Sequence, residues 1–227
     1  MQLTVKDLAK LFSVTERTVY RWIKKQSIPV YKIHDQYRFN KVEILDWATA
    51  QKINVSHEIL HDTSDVDVCA LSLAEIIRLG GIHYRVEGKD KKTLLTSVVN
   101  LLNLPEDIDK NTLLNAMLVR EELGSTGFGG GIAIPHARYP IITHISNAVV
   151  SICFAEEPIE FGAIDGKPVH CLFTLISPTV RNHLKTLSRI AYVLQNASVR
   201  NVIMNQGPRE AILNEIEKAE RDLHKIS

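Results

Sequence analysis

Five of the eleven glycines in this chain fall within the eight positions 124 to 131, and the run leads straight into Ile132-Ala-Ile-Pro-His136. Glycine loses more conformational freedom on ordering than any other residue. A cluster this dense implies backbone shapes, or close approaches, that a side chain would block. The N–H groups of such a glycine-rich loop can face an anion. A histidine delivered beside it from a short apolar strand can attack phosphorus or hold a phosphoryl group. The stretch therefore points to phosphate chemistry.

The 227 residues leave room for one large domain or two small ones. With 45% hydrophobic and 23% charged residues, the composition is that of a soluble globular protein. No apolar run reaches the ~18 residues of a spanning helix, so no membrane insertion is expected. The start, Met-Gln-Leu-Thr-Val-Lys-Asp, lacks the basic-then-apolar order of a secretion signal. Cys69, Cys153 and Cys171 are odd in number, widely spaced and without a Cys-x-x-Cys pair. That pattern argues against a disulfide framework and a zinc ribbon, and it fits a cytoplasmic location. The formal charge of +1 conceals an asymmetry: residues 1–50 hold nine Lys/Arg against five Asp/Glu, a surplus of +4, which leaves −3 for the rest. Positive charge at one end is the electrostatic footprint of a nucleic-acid partner.

Thr4, with Asp7 three residues on, signals a capped helix carrying Val5, Leu8, Leu11 and Phe12 on one face. Ser13 to Glu16 repeats the capping pattern ahead of a second helix, Thr15 to Lys25. Its Val19, Trp22 and Ile23 turn inward, leaving Arg17, Thr18, Tyr20, Arg21, Lys24 and Lys25 mainly outside. Two short helices of this kind form a helix-turn-helix pattern. After Pro29, residues 30–39 read as a hairpin with His34, Asp35 and Gln36 at its tip. Such a hairpin is a wing whose Lys32 and Arg38 can reach phosphates beside the groove. Asn40 with Glu43 caps a third helix bearing Val42, Ile44, Leu45 and Trp47. Four segments in order, Leu-Thr-Val-Lys-Asp-Leu-Ala, Val-Thr-Glu-Arg-Thr-Val-Tyr-Arg-Trp-Ile, Ile-Pro-Val-Tyr-Lys-Ile and Tyr-Arg-Phe, resemble the excisionase-type helix-turn-helix domains, relatives of the MerR winged helix. The resemblance implies double-stranded DNA as a partner, read by the helix from Arg17 to Lys25.

Residues 51–69 are polar and read as a linker between a domain at 1–50 and another at 70–227. His57 and His61 within it have no third convergent ligand, so no metal site is expected. From Leu71 helices and strands alternate. Ser72 caps a helix ending at Gly80-Gly81, Ile82 to Val86 is a strand, and Lys91 to Leu102 is helical. Asp109 opens a helix that stops at Gly124. Asn147 to Ala155 and Val169 to Ile176 are strands, Arg181 to Gln195 is an amphipathic helix, and Pro208 starts the last one. This grammar gives an α/β layered fold.

Three residues carry the expected chemistry. His136 is the nucleophile candidate. Arg120, at the end of the helix leading into the glycine run, offers a guanidinium to clamp phosphoryl oxygens. His183 lies in the first turn of a helix, where an imidazolium is disfavoured, so it can act as a neutral hydrogen-bond donor. Ser125, Thr126 and Gly127 are candidates for a phosphate loop. Taken singly, each has a plain structural alternative: a packed histidine, an arginine paired with Glu121 or Glu122, an exposed histidine near a helix cap, a tight turn. The combination decides. Arg120-Glu-x-Leu-Gly-Ser-Thr-Gly, Gly131-Ile-Ala-Ile-Pro-His136, Pro158-Ile-x-Phe-x-x-Ile-Asp165-Gly, Leu172-Phe-x-Leu-Ile-x-Pro178 and His183-Leu-x-Thr-Leu-Ser188 together resemble one family. It is the type-2 enzyme IIA domain (fructose/mannitol class) of the phosphoenolpyruvate-dependent phosphotransferase system, and its nearest branch looks like the nitrogen-regulatory IIA proteins. The resemblance covers about residues 70 to 220. It implies a three-layer mixed-sheet domain, phosphorylation on His136 by an HPr-like phosphocarrier, and Arg120 and His183 beside it, with no cofactor. Ala137-Arg138 departs from the glycine that follows the histidine in many members. Two functions fit this layout: a phosphohistidine regulator that acts on DNA, as a possible homodimer, or a plain phosphocarrier whose N-terminal module makes protein contacts.

Overall fold

The computed structural model describes residues 2–25, 27–33, 36–40, 43–44, 47–48, 71–106, 108–138, 140, 142 and 145–225. The chain divides into two compact units, Met1–Val66 and Asp67–Ser227.

The first unit contains β1 (Gln2–Leu3), α1 (Val5–Leu11), α2 (Glu16–Lys24), β2 (Tyr31–Ile33) and β3 (Gln36–Asn40). Thr4 caps α1 as expected: its hydroxyl accepts the Asp7 N–H, and the Asp7 carboxylate accepts the Thr4 N–H. The Thr4 N–H and the Thr4 hydroxyl both donate to the Asp7 carboxylate and hold it below its ordinary value. The cap of α2 is Thr15 rather than Ser13. Ser13 instead takes a left-handed conformation, φ 51°, where the chain turns between the helices. β1 was not anticipated. It pairs with β3, giving the order β1-β3-β2 with both pairings antiparallel. Gln36, expected in the turn, opens β3 and faces Ile33. The third helix lies largely outside the described residues, as do hairpin residues 34–35 and the whole linker with His57 and His61. Leu8, Val19, Phe39 and Ile44 are fully buried. Phe12, Trp22 and Trp47 meet edge to face, with ring centroids 5.2 to 5.9 Å apart.

The second unit contains α3 (Leu73–Gly80), β4 (Ile82–Val86), α4 (Lys91–Leu101), α5 (Lys110–Glu122), β5 (Gly127–Gly129), β6 (Ile132–Ala133), β7 (Val149–Ile159), β8 (Val169–Ile176), α6 (Val180–Val193), α7 (Ala197–Met204) and α8 (Arg209–Lys225). Among the described residues the sheet has five strands in the order β4-β7-β8-β6-β5. β4 runs parallel to β7 and β6 parallel to β8, while the β7–β8 and β5–β6 pairs are antiparallel. Strand alternation sorts the side chains into two cores. Val150, Ile152 and Phe154 of β7, with Cys171, Phe173 and Leu175 of β8, pack against α3, α6, α7 and α8. Cys153, Ala155 and Leu172 turn to the other face and meet Leu94, Leu95 and Val98 of α4. Helices on both faces of a mixed sheet make the three-layer α/β fold that the sequence implied. Burial pushes the Cys153 thiol up to about 11 and the Cys171 thiol well above its ordinary value.

Two element assignments change. β7 runs on to Ile159, past the expected end at Ala155. Its last turn outward carries Glu156 and Glu157, which are exposed, and the ladder shifts register between Phe154 and Ile159. α7 is an additional helix; Asn196 caps it by accepting the N–H groups of Ser198 and Val199.

A buried ion pair ties the ends of this unit together. Arg189 of α6 and Glu220 of α8 are 6% and 4% exposed. Arg189 Nε donates to Glu220 Oε1 at 2.6 Å. Glu220 Oε2 accepts the Leu73 N–H at 2.8 Å, and Arg189 Nη2 donates to the Leu71 carbonyl at 3.0 Å. Removing one partner strands a buried charge, so Glu220→Ala is expected to cost about 3–5 kcal/mol, and the apolar pair Arg189→Met/Glu220→Leu to recover most of that loss. Both tryptophans, Trp22 and Trp47, lie in the first unit. Chemical denaturation should therefore show a shifted far-ultraviolet circular dichroism transition and an unshifted tryptophan fluorescence transition.

Candidate functional site

The site is built outward from Glu121, near the end of α5. Its side chain is 4% exposed and pairs with Lys91 Nζ at 3.0 Å. It also accepts the Thr126 N–H at 3.0 and 3.1 Å and the Thr126 hydroxyl at 2.6 Å. The Lys91 ammonium lies 4.8 Å from the centre of the Phe161 ring. Ser125 Oγ donates to the Phe161 carbonyl at 2.7 Å and accepts the Gly127 N–H at 3.1 Å. The Asp165 carboxylate accepts the Gly130 N–H at 2.7 Å. The glycine run is thus a hairpin, β5–β6, seated on residues 161–165. Two of its glycines are required by space and backbone. A Cβ on Gly127 would stand 2.6 Å from Ala163 Cβ, and Gly131, at φ 77°, would place one 2.4 Å from His170 Nδ1. The sequence expectation of N–H groups turned to an anion is not met at Thr126 and Gly127, because Glu121 and Ser125 already accept them.

β6 lies parallel to β8, with Ile132 opposite Cys171 and Ala133 opposite Leu172. The pairing continues past the strand end: Pro135 O accepts the Leu175 N–H at 3.0 Å, and His136 bridges to Leu175. Thr126 O accepts the Ile134 N–H at 3.0 Å, which fixes the segment to the hairpin's other arm. His136 is 3% exposed, and its Nδ1 lies 2.7 Å from Ile134 O. A carbonyl oxygen can only accept, so Nδ1 carries a proton, and in the neutral ring the lone pair lies on Nε2.

His183 sits in the first turn of α6, which Thr179 caps. It is 3% exposed, and its ring centroid lies 5.1 Å from that of His136, at 61°. The structure therefore brings the two imidazoles together. Arg120 is buried where α5 meets the hairpin, and its Nη1 donates to the Gly124 carbonyl at 2.9 Å. Its neighbour Glu121 serves Lys91 and Thr126. Arg138, half-buried, follows two residues after His136. Large apolar side chains stay exposed on the segments that carry the site: Leu123 (63%) after α5, Ile164 (62%) under the hairpin, and Val180 (41%) at the head of α6. Sequence reasoning had not singled out Lys91, Glu121 or Asp165 as supports. The signal available was an acidic residue three positions before the first glycine of the run and another in Ile-Asp165-Gly.

In the N-terminal unit, Arg17, Arg21, Lys24 and Lys25 are exposed along or just beyond α2. Tyr20 is also exposed, its ring 6.2 Å from that of Tyr37 on β3. Thr18 is half-buried and its N–H bonds the Thr15 hydroxyl, so it takes part in the cap. Lys32 is exposed on β2. Arg38, half-buried on β3, donates to the Gln36 side chain and to Tyr37 O. Among the described residues no group of three His, Cys, Asp or Glu side chains could hold a metal ion, and no helix is long and apolar enough to cross a membrane.

A mixed sheet between helices, with paired histidines at its edge, defines a IIA-type phosphotransfer fold joined to a helix-turn-helix unit. Residues 75–219 match the family described as phosphoenolpyruvate-dependent sugar phosphotransferase system, EIIA 2, and the chain belongs to it. Residues 3–52 match a helix-turn-helix domain family. The chain is similar to the nitrogen regulatory protein of Pseudomonas aeruginosa, at 36% identity over 146 residues, which span 63% of this chain and 92% of that one. Its likeness to the nitrogen regulatory protein of Escherichia coli is 35% over 131 residues, 57% of this chain and 79% of that one. Among solved structures it is similar to nitrogen regulatory protein IIA-Ntr from Neisseria meningitidis, with a TM-score of 0.56 and 32% identity, covering 63% of this chain and 98% of that one.

The hydrogen bond to Ile134 O fixes the His136 tautomer. In nitrogen-15 NMR spectra near neutral pH, His136 is expected as the Nδ1–H form. An Nε2–H pattern would contradict the assignment.

Proposed function

We propose that this protein is a phosphohistidine-bearing regulator, taking a phosphoryl group on His136 from an HPr-like phosphocarrier and coupling its phosphoryl state to the binding of double-stranded DNA. The observation that carries the reading is the Nδ1–H bond of His136 to Ile134 O, with the His183 ring 5.1 Å away. It leaves Nε2 as the nucleophilic nitrogen. Nε2 attacks the phosphorus of the carrier's phosphohistidine. A new N–P bond forms as the carrier's N–P bond breaks, and the carrier imidazole leaves with the bonding pair. Phosphoryl transfer asks the protein mainly for position and charge stabilisation. The backbone carbonyl holds the His136 ring, His183 donates a hydrogen bond to the phosphoryl oxygens, and Arg120 supplies positive charge. Ser125, Thr126 and Gly127 act indirectly, by locking the hairpin that aims the histidine. The exposed Leu123, Ile164 and Val180 fit a protein donor that must press against the site to deliver its group.

The proposal for DNA rests on the cationic face of α2 and the matched helix-turn-helix family. Arg17, Arg21, Lys24 and Lys25, with Tyr20, are the side chains offered to a groove. Lys32 and Arg38 stand on the adjoining hairpin.

Incubation with phosphorylated carrier is expected to place an acid-labile, base-stable label on the chain, and His136→Ala to abolish it while the circular dichroism spectrum is retained. A label that persists in His136→Ala refutes the assignment. In mobility-shift titrations with duplex genomic fragments, the triple change Arg17→Ala/Arg21→Ala/Lys24→Ala should weaken binding. It should also flatten the plot of log affinity against log salt, by roughly one unit for each DNA phosphate that is no longer neutralised. Failure to bind any duplex would leave the plain phosphocarrier with a protein-contacting N-terminal module.

A further inference from the structure

One buried hydroxyl close along the sheet to His136 makes no hydrogen bond among the described residues. Ser177 is 4% exposed, and its Oγ has no hydrogen-bond partner among the described residues. A buried hydroxyl without a partner is destabilising, so its retention at this position calls for a physical reason.

Its place in the fold supplies one. β8 ends at Ile176, and Ser177 is the next residue in line. Strand alternation puts Ser177 on the same side as Phe173 and Leu175, which pack in the core beneath α6. On the neighbouring segment Ile132 and Ile134 face that same core, and His136 continues their alternation. Leu175 is the bridge partner of His136. Ser177 is therefore the diagonal neighbour of His136 on one face of the sheet, a separation of about 7–8 Å between backbones that a long side chain can cross. A phosphoryl group on the imidazole extends that reach. Ser177 also stands two residues before Thr179, the cap of the helix whose first turn carries His183.

Resting on the phosphocarrier reading above, we propose that Ser177 is a phosphoryl ligand: its hydroxyl donates to an oxygen of the group carried on Nε2 of His136, across from His183. The orphaned hydroxyl then gains its acceptor only in the phosphorylated state. Hydrogen bonds to a charged acceptor are stronger than neutral ones, so the bond favours the loaded form of this chain over the loaded form of its donor.

The test compares the full-length wild type with Ser177→Ala and Thr174→Val. Thr174 Oγ1 is also buried and also without a partner among the described residues, but it lies three residues earlier, an odd offset that puts it on the opposite face of β8. Each chain is equilibrated with phosphorylated HPr-type carrier. The partition of the phosphoryl group, the phosphorus-31 shift of phospho-His136 and the melting temperature of the unloaded protein are then measured. Ser177→Ala is expected to move the partition toward the carrier by about tenfold. It should also shift the phosphorus resonance and leave the unloaded melting temperature unchanged or slightly raised. Thr174→Val should leave partition and resonance as in the wild type. The proposal is overturned if Ser177→Ala loads like the wild type with the same resonance, or if Thr174→Val reproduces its effect. Absence of any label on wild-type His136 instead removes the phosphocarrier reading itself.

Discussion

A single buried carboxylate organises the region on which everything else at the sheet edge rests. Glu121 has taken its charge out of water, which is costly unless its oxygens are fully engaged. Here Lys91 supplies the countercharge, and Thr126 supplies both a backbone and a hydroxyl donor. That bundle joins α4, α5 and the first arm of the glycine hairpin at one point. From it the bonding runs on without a gap. Thr126 O holds the Ile134 N–H, and Ile134 O holds the His136 ring. The tautomer of a histidine is thereby set by a carboxylate it never touches.

Glycine serves this arrangement by absence of bulk more than by flexibility. At Gly127 the backbone presses against Ala163, and at Gly131 it presses against the His170 ring. Both contacts seat the edge hairpin on its support, and a methyl group at either would lift it away. The amide groups expected to face an anion are used to fasten the hairpin. The side chains of His136, after β6, and His183, on α6, meet beside it.

The sequence was most legible where structure is decided locally. Thr4, Ser72 and Asp109 cap the helices assigned to them, because a hydroxyl or carboxylate two or three residues ahead of an amide needs no tertiary help. The strands Ile82–Val86 and Val169–Ile176 emerge with their expected bounds, since their branched and apolar runs leave few alternatives. What escaped was decided by partners far along the chain. β1 is only Gln2 and Leu3, and it is a strand because β3 lies beside it. Glu156 and Glu157 look like a loop, yet β7 carries them outward beside β4, where Glu156 meets Arg85 at 3.1 Å. The glycine run reads as an open loop until Glu121, Ser125 and Asp165 are seen to take its amide hydrogens. Of the candidate site, the local elements that carry His136 and His183 were legible; the 5.1 Å separation of the two rings depends on the parallel register of β6 and β8, which no local pattern encodes.

The layout also limits how the two units can influence each other. Each has its own apolar core among the described residues. Within the second unit, α6 is the element that touches both ends of the problem. Its first turn brings His183 against His136. Two turns further on, Arg189 is locked by Glu220 and holds the carbonyl of Leu71, the first described residue of the second unit. A stiff helix cannot by itself carry a signal; coupling needs an element with two arrangements that both sites bias. On the proposed function, a phosphoryl group at the head of α6 would add negative charge where the helix dipole is positive and give nearby donors a new acceptor. On that same reading, the energetic difference between loaded and unloaded forms would be generated at the head of α6, at the opposite end from the buried Arg189–Glu220 pair.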